Sequence, residues 1–205
     1  MIVGSGDHAR VMLEAIRATG GDPAGFVDFQ PAAGPAGGPG LEVVGDLIDD
    51  LAWMTRLPRA RFVVAIGRND VRAEAFQRAL ALGLEPLTVV HPTATLLGDC
   101  VVGPGSQICA RAVVGVAARI GANVIINTAA TVDHDNLVDD HASVGPGAHL
   151  AGRVTVGSGT HIGLGSSVRE GITIGAWSLV ASGAAVIRDV GDGARMAGVP
   201  ARPMS

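Results

Sequence analysis

An aliphatic residue at every sixth position constrains this chain more than any other feature. Counting from Leu96, the series is Leu96, Val102, Ile108, Val114, Ile120, Ile126, Val132, Val138, Val144, Leu150, Val156, Ile162, Val168, Ile174, Val180 and Val186, sixteen positions without exception. Four residues after each of the first fifteen stands a small or β-branched residue, with Asn136 the one amide, and Gly directly follows seven of the sixteen. Such a hexapeptide repeat specifies a parallel β-helix. Each hexad is one short strand and a turn. Three hexads close a triangular coil, and the aliphatic residue points inward to stack on its equivalents. No insertion breaks the register from 96 to 186. Chemistry therefore has to sit on the regular surface or between subunits.

Composition agrees with thin, regular layers. Of the 205 residues 48% are hydrophobic but only 3% aromatic, with no Tyr, so the apolar mass is small and branched. The 30 glycines show no collagen-like period. Formal net charge is −4 with no long basic run, which gives nucleic-acid binding no electrostatic support. No apolar run reaches the roughly 18 residues of a membrane span. The start, "MIVGSGDHAR", lacks the basic and long apolar regions of a signal peptide. Neither nucleic acid nor membrane is an expected partner. Cys100 and Cys109 are too few for a disulfide framework; they read as small buried hydrophobes, in a cytoplasmic protein.

Before Pro92 the pattern changes to alternating strand and helix. "MIVG" (1–4), "AGFVDF" (24–29), "RFVVAIG" (61–67) and "LEPLTVVHP" (84–92) read as strands. "DHARVMLEAIRATGG" (7–21) and "NDVRAEAFQRALALG" (69–83) read as helices ending at Gly. The Pro- and Gly-rich 30–40 is a loop, and "LEVVGD" followed by "IDDLAWM" reads as another strand and helix. The expected fold is an α/β domain with a small parallel sheet over 1–92, then a β-helix over 93–205. The tail 189–204 leaves the hexad register and is expected to cap the open end, which would otherwise expose strand edges.

One stretch breaks the apolar monotony. "TVDHDNLVDDHAS" (131–143) holds four Asp, two His and one Asn. In its hexad "VDHDNL" only Val132 is an ordinary inward position. Elsewhere "GSGDH" (4–8) follows a strand and precedes a helix, where a Gly-rich turn admits a phosphate to backbone N–H groups. It is not the full dinucleotide fingerprint, since Ala9 stands where GxGxxG needs Gly. Asp28 and "AIGRND" (65–70) end strands, and open α/β sheets bind ligands there.

The hexads, "GSGDH" and "VDHD" together resemble the sialic-acid O-acetyltransferase-like and bacillosamine N-acetyltransferase-like group of left-handed β-helix acyltransferases. The resemblance covers nearly the whole chain. It implies a homotrimer with active sites between subunits, acetyl-CoA as donor, no metal, and a sugar amine or hydroxyl as acceptor. His134 matches the family's catalytic His. A base working near pH 7 suits attack on a thioester, and imidazole titrates near that pH. Asp135 stands where the family carries an acid that would orient the imidazole. Neighbours on a strand point to opposite faces, so Asp135 is expected to help only if a corner turns the chain there. The alternative is that both are solvated surface residues. Asn127 matches an Asn near the reacting group, or else is a stacked amide satisfying backbone. Gly152, one coil beyond His134, is a candidate to polarise the thioester carbonyl through its N–H, or else an ordinary corner Gly.

The resemblance makes Gly4, Gly6, His8, Asp28, Gly67, Arg68 and Asn69 the candidates for nucleotide-sugar contact; the alternatives for Asp28 and Asn69 are turn and helix-cap roles. Ser143, Gly152, His161, Ala181 and Gly183 are the candidates for CoA contact. Many relatives carry a second His nine residues after the catalytic one, where this chain has Ser143. The expected activity is acetyl-CoA-dependent N-acetylation of a nucleotide-linked amino sugar by direct transfer, in polysaccharide biosynthesis. Rivals are O-acetylation of a sialic-acid-like sugar, a non-catalytic sugar-nucleotide scaffold, and a zinc enzyme of carbonic-anhydrase type. The last needs three converging ligands, whereas His134, His141, His149 and His161 occupy different faces of the repeat.

Overall fold

The computed structural model describes residues 1–29, 43–47, 52–56 and 60–204. The loop expected over 30–40, and parts of the strand and helix expected over 41–54, lie outside the described residues. The first unit runs β1 (Ile2–Val3), α1 (Asp7–Ala18), β2 (Phe26–Asp28), β3 (Val43–Asp46), α2 (Trp53–Arg56), β4 (Arg61–Val64), α3 (Asn69–Ala81) and β5 (Glu85–Pro86). Its five strands are parallel, in the order β3-β2-β1-β4-β5. Alternate strand residues serve opposite layers, as the pleat requires. Val3, Val27, Phe62 and Val64 pack against α3 through Ala75, Phe76 and Ala79. Ile2, Phe26 and Val63 pack against α1 through Ala9, Met12, Leu13 and Ile16.

The expected single strand over 84–92 is two strands. β5 closes the small sheet, and β6 (Val89–Val90) pairs with Gln107–Ile108 in the next unit. Sixteen two-residue strands then follow, one per hexad, from β7 (Thr95–Leu96) to β22 (Ala185–Val186). Each pairs in parallel with strands one coil away, eighteen residues along, as Thr131–Val132 does with His149–Leu150. Three flat sheets result, forming a parallel β-helix of triangular section. The first face holds β7 and every third strand to β22. The second holds Val101–Val102 and its equivalents. The third holds β6, Gln107–Ile108, Ile125–Ile126, Ser143–Val144, His161–Ile162 and Leu179–Val180. From Val102 on, the hexad aliphatics fill the interior as one continuous core, whereas Leu96 on the first coil is exposed. β23 (Arg195–Ala197) extends the third face, and β24 (Arg202–Pro203) folds back antiparallel on it, so the tail covers the last edge.

Every sixth residue from Gly105 to Gly183 has φ between 54° and 73°, at the third position of each corner. Eight of these positions are not Gly, Asp135 and His141 among them. The α/β unit docks on the third face and on the corner between the second and third faces. Arg72 of α3 is fully buried there. Its Nε donates to Asn123 O (3.1 Å), and its Nη2 donates to His141 O (2.6 Å) and Ala142 O (3.1 Å). Nη1 donates to Ile66 O (3.2 Å) and Asn69 Oδ1 (2.7 Å). Burial pulls this guanidinium down to about 9, which leaves it charged at neutral pH.

Candidate active site

The polar stretch 131–143 is divided by the coil into two places. Asp133–Asn136 turns the corner between the first and second faces. Residues 139–142 turn the next corner, beneath α3. There His141 meets Phe76 edge-on at 5.8 Å between ring centroids, and its Nδ1 accepts from Asn123 Nδ2 at 2.9 Å. Burial holds His141 below the usual histidine range, Asp140 pulling it up and Arg72 pushing it down. Asp140 Oδ1 accepts from Ala122 N at 2.7 Å. This half of the stretch holds the fold together.

The other half leaves its chemistry free. Asp135 lies at the left-handed corner position (φ 56°), which an aspartate tolerates better than most residues. The reversal folds its carboxylate back onto its neighbour, overriding strand alternation. His134 Nδ1 and Asp135 Oδ2 are 2.7 Å apart. Asp133 Oδ1 accepts from His134 N, also at 2.7 Å. With Nδ1–H donating to the carboxylate, Nε2 carries the lone pair. The imidazole lies over Gly152 on the coil above. A Cβ built at Gly152 would sit 3.0 Å from His134 Cδ2 and closer still to Cε1 and Nε2. Only glycine allows this approach, and its φ is not in the positive region. Among the described residues the Gly152 N–H donates to no group.

Asn127 is not beside them. It turns the corner between the third and first faces, where its Oδ1 accepts from Thr128 N at 2.8 Å. Ala181 and Gly183 lie on that same corner, further along. Ser143 and His161 stack on the third face as register partners, with Ser143 Oγ 2.7 Å from His161 Nδ1. Burial, aided by Arg72, holds His161 below its ordinary value. His149 is on the first face, 2.9 Å from Thr131 Oγ1 through Nδ1. Among the described residues no three His, Cys, Asp or Glu side chains group to hold a metal ion.

A cavity of about 310 Å³ opens at the carboxyl ends of the small sheet, lined by Gly4, Gly6, His8, Asp28, Gly67 and Arg68 among others. Gly4 has φ 99°, and a Cβ there would come within 3.1 Å of Ala65 O. Asp28 Oδ1 accepts from Ser5 Oγ at 2.6 Å. His8 Nε2 and Gln107 Oε1 are 2.8 Å apart, while Gln107 Nε2 donates to Val64 O at 2.7 Å. The amide oxygen is thus the acceptor, His8 donates from Nε2, and its Nδ1 is left as an acceptor when neutral. Burial holds His8 below the usual histidine range; the bond to Gln107 pulls the other way, and Arg72 reinforces the lowering.

Asn69 does not line this cavity. Its Nδ2 donates to Gly159 O (3.0 Å) and Thr160 O (3.1 Å), tethering α3 to the β-helix. Nor is it the helix cap: Arg68 holds that place, with no side-chain cap bond. A second cavity of about 490 Å³ shares Gly67 and Arg68 with the first, has Asn69 in its lining, and runs on to His161, Trp177 and Arg195. Trp177 and Arg195 were not among the residues expected from sequence. Trp177 is half exposed at a left-handed corner position, where an indole is unusual, and that is the signal that marks it.

Residues 1–79 match the family model of the PglD N-terminal domain. PerB from Caulobacter crescentus, solved with CoA and GDP-perosamine, is 37% identical over 100% of this chain and 96% of its own, with a TM-score of 0.92. The acetyltransferase domain of PglB from Neisseria gonorrhoeae, solved with acetyl coenzyme A, is 33% identical over 99% and 97%, with a TM-score of 0.89. WeeI from Acinetobacter baumannii shares the fold at 19% identity over 99% and 98%, with a TM-score of 0.79. No curated protein matches the chain. Identity at this level across the full length of both chains shows that the protein belongs to the nucleotide-amino-sugar N-acetyltransferase family, in which a PglD-type α/β domain precedes a hexapeptide-repeat β-helix.

Proposed function

We propose that this protein transfers the acetyl group of acetyl-CoA to the amino group of a nucleotide-linked amino sugar. The observation that carries the reading is the His134 imidazole, tied to Asp135 through Nδ1 and leaning over the unpaired Gly152 N–H. It occurs in a chain 37% identical to a protein solved with CoA and GDP-perosamine. The neutral sugar amine attacks the thioester carbonyl. As the C–N bond forms, His134 Nε2 takes the surplus proton from nitrogen. The carbonyl oxygen becomes an oxyanion facing the Gly152 N–H. Collapse breaks the C–S bond, and His134 returns the proton to the departing thiolate. Asp135 holds the tautomer and stabilises the imidazolium. No acyl-enzyme forms, so the kinetics are those of a ternary complex.

Residues 1–92 serve as the nucleotide-sugar domain and 93–205 as the acyl-transfer scaffold. In the first cavity the bare N-terminus of α1 at Gly6 faces the diphosphate, and Asp28 accepts from a sugar hydroxyl. The shared rim at Gly67 and Arg68 leads the acceptor sugar into the second cavity, on the third face. The His134 corner lies between the first and second faces, opposite the third. This separation favours a site completed by a second copy of the chain. We therefore assign a homotrimer in which one copy's His134 corner meets another's third face. Ser143, His161, Ala181 and Gly183, spread over different sides of one chain, then contribute to CoA contact from two copies. Among the described residues no helix is long and apolar enough to cross a membrane. We place the enzyme in the cytoplasm, with its co-substrates, in polysaccharide biosynthesis.

The test is thiol release from acetyl-CoA against UDP-, GDP- and dTDP-linked amino sugars, with free sialic acid included. Release with one nucleotide amino sugar is expected, lowered about 10²–10⁴-fold in His134→Ala. Release with sialic acid alone would replace the reading by O-acetylation. Full activity in His134→Ala would remove the assigned base.

A further inference from the structure

We infer that Asn136 is a positioning residue for acetyl transfer: its amide clamps the peptide that carries His134 to the peptide that carries the Gly152 N–H. The inference rests on the proposed roles of those two groups. Asn136 is fully buried at the fourth place after its hexad aliphatic. Its Nδ2 has two hydrogens and makes two short bonds, to Asp133 O at 2.8 Å and Ala151 O at 2.9 Å; His134 O is at 3.4 Å. Asp133 O belongs to the peptide bonded to His134 N. Ala151 O belongs to the peptide whose N–H is that of Gly152.

A trans peptide is planar, with C=O and N–H pointing in opposite directions. Holding Ala151 O inward on Asn136 therefore aims the Gly152 N–H outward, to the side where the His134 ring lies. Hydrogen bonding at that carbonyl also polarises the N–H of the same peptide. The remainder of the coil shows how unusual the arrangement is. Ser106, Thr160 and Ser178 hold equivalent places and each donates to one carbonyl of the following corner: Gly121 O (2.7 Å), Gly175 O (2.6 Å) and Gly191 O (2.8 Å). Ser166 instead bonds its own corner, at Gly163 O (2.7 Å). A hydroxyl has one hydrogen and makes one of these bonds; Asn136 makes both. On its own corner the equivalent places are Cys100, Ala118, Val154 and Ile172. The one polar residue in that column sits on the coil that carries His134. Its Oδ1 is buried without a partner among the described residues, a cost that no hydroxyl there would incur.

The experiment is steady-state acetyl transfer with Asn136→Ala, Asn136→Val and Asn136→Ser, beside Ser106→Ala as a staple of the same kind under a different corner. Asn136→Val is included because Val124 and Val154 show that the coil accepts that side chain in this place. Both Asn136→Ala and Asn136→Val should lower kcat about tenfold or more, with KM for both substrates within about twofold, because an oxyanion donor is misaimed rather than removed. Asn136→Ser should recover much of the loss, through a single bond to Ala151 O. Ser106→Ala should lower Tm and leave kcat unchanged. Asn136→Val with kcat within twofold of wild type would overturn the inference, as would an equal loss of kcat in Ser106→Ala. If His134→Ala is inactive while Asn136→Val is not, this inference fails alone. If His134→Ala keeps full turnover, the functional reading beneath it fails first.

Discussion

The seam between the two units and the corner at His134 are built from the same kinds of residue and differ in what is left unspent. At the seam, Arg72 donates to backbone carbonyls from both units, Asn69 ties α3 to Gly159 and Thr160, and Gln107 joins His8 to Val64. Nearly every donor is consumed by a group of the same chain. At the corner, His134 spends one nitrogen on Asp135 and keeps the other, and Gly152 keeps its N–H. A buried polar group with all its bonds made holds a structure together. A fixed one with a bond in hand is equipped to act on something else. Residue type alone does not separate the two, since His141 and His134 stand seven positions apart in one polar stretch.

Removing each side of this contrast should show in different measurements. Arg72→Met strands carbonyls of the α/β unit and the β-helix together, and should cost about 3 kcal/mol or more in chemical denaturation. At temperatures where the variant is folded, kcat at saturating acceptor should stay near wild type. A collapse of kcat with stability intact would mean that the seam takes part in chemistry. Gly152→Ala is the converse. Its Cβ would enter the space of the His134 ring, and the ring must move. A displacement of about 1 Å at a base costs on the order of 10²-fold in turnover. Tm should change little, because the ring is near the surface. Near-wild-type kcat in Gly152→Ala would show that the close approach is not needed.

The β-helix was readable because its period is six and local: sixteen aliphatics in register need no knowledge of distant partners. The His134–Asp135 pair was legible through the family resemblance of "VDHD", although the positive φ that joins the two was not. The seam was hidden. Arg72 reads as an ordinary charge on the helix "NDVRAEAFQRALALG", and its partners at Asn123 and His141 lie 51 and 69 residues away. Asn69 looks like a cap because it follows a strand end, yet its partners are 90 residues off. The segment 84–92 reads as one strand because Leu84, Leu87, Val89 and Val90 fall within seven residues with no Gly between them; the chain changes sheet within it. The visible signals were Gln107 and Asn123, two buried amides in a repeat that otherwise asks for small or aliphatic residues.

The seam also predicts a pH dependence of stability. His8, His141 and His161 are each held below the ordinary value of 6.5, with burial the largest cause and Arg72 adding to it. Asp140 opposes this at His141, and the bond to Gln107 opposes it at His8. In the unfolded chain these imidazoles take up protons near 6.5, while in the folded chain they do so only at lower pH. The unfolded state thus binds more protons in that window, and stability rises with pH there. Their contribution is fully present above about 6.5 and is lost as pH falls through the folded values. Tm should therefore drop between pH 7 and pH 5, above the range where most carboxylates titrate. His8→Gln keeps a donor for Gln107 Oε1 and removes one of the three titrations, so its Tm should fall less steeply over the same window. Identical slopes in wild type and His8→Gln would place the proton uptake elsewhere.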